Sequence, residues 1–152
     1  MKLDRYELKA GKNLTTFEFI SEGPQGQISK MVQFTSTNYK GLYNLSFGDK
    51  HPETGQIDDV AISNNGDSER VLATVVTTVY AFTDKYPDAW IYATGSSKVR
   101  TRLYRMGISK YLGDAKKDFV IFGLLHNEWE LFVSGTDYEA FVVKRKNRNF
   151  EL

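Results

Sequence analysis

The stretch that decides the fold class runs from residue 68 to residue 87 and reads SERVLATVVTTVYAFTDKYP. Its apolar residues return about every fourth position, which is the period of a helix and not of a strand. The β-branched residues lower its helix propensity, but the stretch is too long for an ordinary strand. Asp67 or Ser68 can cap the start, and Pro87 stops the helix. We therefore predict a helix over residues 68–86.

The sequence on either side of this helix alternates with the two-residue period of strands. Strand patterns occur near residues 17–34, 42–47, 57–62, 90–93, 119–122 and 138–143. A second helix is predicted from residue 97 to residue 106, with Gly107 as its C-terminal cap. Strands first and helices later indicate an α+β fold, in which two main helices pack on one face of a curved, mostly antiparallel mixed sheet.

Length and composition restrict the class of protein further. A chain of 152 residues fits a single domain over 1–152, and we expect a frayed basic tail over about 146–152. The absence of cysteine excludes disulfides and thiolate zinc sites, and it suits a cytoplasmic protein. No signal peptide or membrane-spanning stretch is apparent. A net charge of +1 argues against a wholly basic nucleic-acid binder.

One constellation of residues suggests a binding site. A short strand, the triplet Gly-Ser-Ser and a helix start follow one another at residues 90–98, and a helix start of this kind favours anions. The helix that follows is rich in arginine, whose fork of N–H groups matches phosphate oxygens. The predicted ligand-binding residues are Gly95, Ser96, Ser97, Lys98, Arg100, Arg102 and Arg105, with Asn44 from a strand. They predict a module that binds a nucleic acid or another phosphate-bearing partner.

Two other interpretations of the same charges stay open. Residues 95–117 contain seven Lys and Arg and one Asp, whereas residues 49–69 contain six Asp and Glu and one Lys. The basic helix can therefore be neutralised within the chain by Asp58, Asp59 and Asp67, or its charges can simply be solvated. We predict no metal site and no bound cofactor, because two histidines and no nucleotide-binding glycine motif offer little to hold either.

The chain resembles a family of uncharacterised bacterial proteins of similar length, common in the Bacteroidetes. The resemblance is carried by YNLSFGD at 43–49, NNGD at 64–67, VLATV at 71–75 and GSSKVRTRLYR at 95–105. It covers most of the chain and implies a small soluble bacterial protein, with no activity attached.

The second half also resembles, more loosely, the acetyl-coenzyme A-dependent acetyltransferase superfamily. The segment RLYRMGI at 102–108 is similar to a short segment of that superfamily in which a tyrosine acts as general acid. The resemblance implies that Tyr104 has this role. The loop that would hold the coenzyme pyrophosphate reads NNGDSER at 64–70, and its acidic residues make it a degraded version. An acyl-coenzyme A-dependent enzyme is therefore the alternative function.

Overall fold

A computed structural model describes residues 4–58, 64–94 and 98–146. The described strands form an open nine-stranded sheet that is mostly antiparallel and mixed, and the fold is α+β as predicted. The strands are β1 (Lys9–Ala10), β2 (Thr16–Gly23), β3 (Gly26–Ser36), β4 (Leu42–Lys50), β5 (Ile57–Asp58), β6 (Trp90–Ala93), β7 (Phe119–Leu125), β8 (Glu128–Leu131) and β9 (Ala140–Arg145). The helices are α1 (Ser68–Lys85), α2 (Lys98–Asp118) and a short 3-10 helix (Lys12–Leu14).

Strand order in the sheet is β1-β2-β3-β4-β6-β9-β7-β8, with β5 paired to β4. The chain divides into two compact units. Unit 1 comprises residues 1–35 and 45–82, and unit 2 comprises residues 36–44 and 83–152. Whether the chain behaves as the predicted single domain stays a prediction. The predicted tail lies mostly outside the described residues.

Unit 1 contains α1 as far as Phe82, and this helix packs against β3. The ring of Phe82 on α1 stacks on Phe34 of β3 at 4.2 Å between centroids, and both side chains are buried. The threonine hydroxyls of the β-branched run are satisfied within the helix, because they donate to carbonyls about one turn back, as Thr74 does to Arg70 at 2.7 Å. Burial of the apolar stripe thus outweighs the weak helix propensity of this stretch.

The second helix differs from its prediction. It does not end at Gly107 but continues through that residue to Asp118. The helical spacing of Val99, Leu103 and Met106 also predicts that these residues form its buried stripe. This prediction is wrong at Met106, which is 49% exposed, whereas Tyr104 is buried. Gly107 stands one helical turn after Tyr104 and is also buried. The packed face of α2 therefore contains Tyr104 and Gly107, and Met106 lies outside it. A glycine inside a helix costs only about 1 kcal/mol relative to alanine, which packing can offset.

Sequence analysis also missed β1 and β8. Strand β1 is only two residues long, too short to show the alternation of polar and apolar residues that indicates a strand. Strand β8 follows the turn His126-Asn127, both of whose residues have positive φ, as two-residue hairpin turns require. None of the helices in the described part of the chain is long and apolar enough to cross a membrane.

Candidate functional site

The predicted site on the arginine-rich helix is only partly visible. Gly95, Ser96 and Ser97 lie outside the described residues. Lys98 and Arg100 begin α2, and the positions of their side chains also lie outside what is described.

Three of the predicted site residues can be placed in unit 2. Arg102 is exposed on α2. Arg105 forms an ion pair with Asp137, so its guanidinium is matched by a carboxylate of the chain itself. Asn44 is half-buried on β4. Because Gly95, Ser96, Ser97 and the side chains of Lys98 and Arg100 lie outside what is described, the anion site at the start of α2 stays a prediction.

Of the acidic residues considered as internal partners, Asp67 has hydrogen bonds within unit 1. The carboxylate of Asp67 accepts hydrogen bonds from the hydroxyls of Tyr6 and Ser21, each at 2.5 Å. Asp59 lies outside the described residues. Residue Asp67 precedes the first turn of α1 and connects it to the N-terminal segment and to β2. It therefore belongs to the framework of unit 1.

A cleft of about 690 Å³ in unit 1 is a second candidate. Its charged lining consists of three cations and three carboxylates, namely Lys9, Lys50, Arg70, Glu7, Glu18 and Glu22. Lys50 is already paired with Glu18, and the Arg70 guanidinium lies 4.2 Å from the centre of the Tyr6 ring. Opposite charges in equal number give no preference for an anion or a cation. No group of three metal-binding side chains occurs among the residues that the structure describes.

The strongest candidate is one face of the sheet in unit 2. Residues directly opposite each other in an antiparallel pair point to the same side. Ile91 of β6 is opposite Val143 of β9, which is opposite Ile121 of β7. Ile91 and Ile121 are buried, as is Phe141 two residues before Val143. This side is the packed one, and we call it the closed face.

The other side of the same strands, which we call the open face, carries aromatic rings. Four rings project from it: Trp90 and Tyr92 from β6, Phe122 from β7 and Trp129 from β8. Trp90 is 36% exposed and Trp129 is 45% exposed. Each tryptophan contacts one of the two other rings. The ring centres of Trp90 and Phe122 lie 6.3 Å apart. Those of Trp129 and Tyr92 lie 6.2 Å apart, in an edge-to-face arrangement.

The remaining side chains of the open face are aliphatic, with one exception. By register they are Val120, Leu124, Leu131, Ala140, Val142 and Lys144. Leu131 is 63% exposed. Lys144 is the exception, and its ammonium nitrogen lies 5.9 Å from the centre of the Trp90 ring.

The acidic residues of β8 point away from the open face. Glu130 is opposite Gly123, which is opposite the buried Phe141, so Glu130 belongs to the closed face. Its carboxylate accepts a hydrogen bond from the Tyr138 hydroxyl at 3.1 Å. Glu128 lies two residues earlier on the same side. The open face therefore has one cation and no carboxylate among the positions that the described register assigns to it.

The sequence did contain a signal for this face. Glu128, Trp129, Glu130 and Leu131 alternate between acidic and apolar residues, which is the period of a half-exposed strand. Trp90 and Tyr92 stand at alternate positions of the predicted strand at 90–93. What the sequence alone did not indicate is that these residues share one uncovered side, because that depends on the pairing of β6, β9, β7 and β8.

Comparison with known proteins gives one finding. No curated protein and no solved structure matches the chain. The model described as a family of unknown function, DUF6934, matches residues 2–146. Because this match covers nearly the whole chain, the predicted likeness to an uncharacterised family is confirmed at that level, and the chain belongs to the DUF6934 family of unknown function.

Proposed function

We propose that the chain is a nucleic-acid-binding module that acts through the open face of unit 2. One observation carries the proposal: four aromatic rings lie on one side of the sheet together with a lysine, and the described register assigns no carboxylate to that side. Aromatic side chains bind nucleic-acid bases by stacking, and this contact depends little on sequence because every base has a π face. The proposed partner, a nucleic acid, is the one that the sequence predicts. The proposed contact surface is the open face of the sheet instead of the start of α2.

The charge distribution supports an anionic partner. Unit 2 contains 13 Lys and Arg against 9 Asp and Glu, a formal charge of +4, whereas unit 1 has 7 against 10, a charge of −3. The neutral composition of the whole chain therefore conceals a basic unit. Arg102, Lys116 and Lys117 are exposed on α2 of this unit. Such charges raise the local concentration of a polyanion and accelerate its association.

Fluorescence anisotropy of a labelled oligonucleotide of mixed sequence tests the proposal. At low salt we expect saturable binding by the whole protein, with quenching of tryptophan fluorescence as bases stack on Trp90 and Trp129. Affinity should fall as salt is added, because phosphate contacts release counterions. No change in anisotropy with any nucleic acid at about 100 µM protein, a concentration where even non-specific binding is normally detectable, would refute the proposal.

A matched control separates the open face from exposed apolar residues in general. Ile20 is 48% exposed on β2 of unit 1. The Ile20→Ala variant should bind the oligonucleotide as the wild type does. Equal loss of binding in Ile20→Ala and Trp129→Ala would mean that the open face is not the contact surface.

The alternative function, acyl transfer from coenzyme A, remains the sequence-based prediction. Its general acid would be Tyr104, whose side chain is 7% exposed on α2. A thermal shift with acetyl-coenzyme A tests it, because a ligand at about 100 times its Kd stabilises the folded state by about 2.7 kcal/mol. The absence of a shift would exclude this alternative.

A further inference from the structure

We infer that the nucleic acid binds the open face as an unpaired single strand, with individual bases stacked on Trp90 and Trp129. The inference rests on the proposed function and adds the form of the ligand. It follows from how the rings are arranged and from how few charges accompany them.

The rings form two pairs, and each pair presents one indole to solvent. In the first pair Trp90 is the more exposed member and Phe122 is half-buried. In the second pair Trp129 is the more exposed member and Tyr92 is half-buried. The inner ring of each pair supports the outer one, so that each indole is held in place before a ligand arrives. A fixed ring loses less conformational entropy on binding than a mobile one.

A small residue allows the second pair to meet across the sheet. Tyr92 and Trp129 lie on β6 and β8, which are separated by β9 and β7. Trp129 is opposite Leu124, which is opposite Ala140 of β9. Ala140 is 1% exposed, and we expect its short methyl group to leave room above β9 for the two rings to meet. The position of the exposed indole therefore depends on a short side chain in the middle of the face.

The charges of the open face discriminate between single strands and duplexes. A duplex presents phosphates and groove edges, while its base faces are stacked on one another and hidden. Lys144 is the one cation that the described register places on this face, and a single cation binds a phosphate backbone weakly. The rings and aliphatic side chains can contact only bases that have left the stack. Stacking of one base on an aromatic side chain contributes about 1–3 kcal/mol. Only unpaired bases can make this contact, so it favours the binding of single strands over duplexes.

Lys144 has a defined place in this arrangement. It stands opposite Trp90 in the β6–β9 pair, with its ammonium nitrogen 5.9 Å from the indole centre. A base stacked on Trp90 would bring its own phosphate within reach of this ammonium group. We therefore expect Lys144→Gln to weaken binding by a few-fold and to lower the dependence of affinity on salt, whereas Trp129→Ala should leave that dependence unchanged.

The decisive experiment compares one 12-nucleotide sequence as single-stranded DNA, as single-stranded RNA and as a blunt DNA duplex. We expect the whole protein to bind either single strand at least tenfold more tightly than the duplex at the same salt concentration. Trp90→Ala and Trp129→Ala should each weaken single-strand binding by about 5- to 150-fold, in line with the loss of one stacked base. Trp129→Phe keeps an aromatic ring and should restore most of the affinity, with circular dichroism showing that each variant is folded.

Each outcome has a distinct meaning. Duplex binding as tight as single-strand binding would overturn the inference and leave the proposed function standing. Absence of binding to all three probes would overturn both. Self-association that rises with protein concentration and is abolished by Trp129→Ala would also overturn both, since the open face would then be an interface between two copies. Equal affinity for the DNA and RNA strands supports the inference and shows that the 2′-hydroxyl is not read.

Discussion

The two units depart from the usual distribution of polar and apolar residues in opposite directions. Unit 1 buries polar side chains, including Ser21, Lys30 and Asn65, each at most 5% exposed. Unit 2 exposes large apolar ones, including Trp90, Trp129 and Leu131. Among the described residues, no buried side-chain nitrogen or oxygen atom lacks a hydrogen-bond partner. The departures in unit 1 are thus explained within the chain, whereas those in unit 2 are the basis of the proposed binding face.

The polar groups at Asp67, Ser21 and Asn65 form a network that connects the start of α1 to the β2–β3 hairpin. Asp67 accepts hydrogen bonds from Tyr6 and Ser21. Ser21 in turn accepts one from the amide of Asn65 at 3.2 Å, and that amide also donates to the carbonyl of Gly26 at 2.9 Å. Exposed apolar residues have no comparable network, since stacking surfaces need no hydrogen bonds. Four substitutions test this contrast, in order of decreasing expected effect.

The largest effect is expected at Lys30, which is buried and forms a 2.5 Å ion pair with Asp49. Lys30→Ala should lower the free energy of unfolding by about 3 kcal/mol, because it leaves a carboxylate in a largely desolvated place. Urea unfolding measures the change. Lys50 is the matched control: its ion pair with Glu18 is about one-third exposed, and Lys50→Ala should cost less than about 1 kcal/mol. Equal losses would contradict the distinction.

The next effect is expected at Gly123 on the closed face of unit 2. A Cβ atom there would lie 2.4 Å from the Tyr138 ring, whose hydroxyl accepts a hydrogen bond from the amide of Val133 at 3.0 Å. Gly123→Ala should cost about 1–3 kcal/mol through overpacking, as measured by thermal or urea unfolding. In the Tyr138→Leu background the same change should cost clearly less, and additive losses would argue against the clash.

A smaller effect with a pH signature is expected at Tyr6. Burial, and then the hydrogen bond to Asp67, raise the pKa of this phenol above its ordinary value of 10.0. Tyr6→Phe should lower the free energy of unfolding by about 1 kcal/mol at neutral pH, because Asp67 loses a donor.

The pH dependence of this difference has a definite sign. The folded chain holds the phenol proton more tightly than the unfolded chain, so the stabilisation is complete below pH 10 and is lost as the pH rises through the folded pKa. The gap between wild type and Tyr6→Phe should therefore stay constant from pH 8 to about pH 10 and narrow only above pH 10. A gap that stays constant or widens above pH 10 would show that this assignment is incorrect.

The smallest effect on stability is expected at Leu131 on the open face. Leu131→Thr should change the free energy of unfolding by less than about 0.5 kcal/mol, because the side chain is 63% exposed. Its effect on oligonucleotide affinity should stay well below that of Trp129→Ala, since an aliphatic side chain offers no π face. A loss of stability above about 1 kcal/mol, large for an exposed position, would mean that the open face is part of the core.

Sequence reasoning predicted the fold class because local periodicity is strong in this chain. The strand at residues 90–93 and the start of α1 at residue 68 were correctly predicted. The end of α2 was missed because Gly107 was interpreted as a cap, although a helix can continue through glycine when that residue packs. The open face could not be predicted, since periodicity shows that a strand has two sides but not which side another element covers.

The two-residue turn between β7 and β8 has a consequence for variation within the family. Leu125 is opposite Glu128, so the turn consists of His126 and Asn127 alone. Insertion of a single residue there would invert β8 and exchange its acidic side for its aromatic side. Relatives that retain the tryptophan on the same face should therefore differ in the length of this loop by an even number of residues. A difference of an odd number would indicate relatives in which this aromatic face is lost.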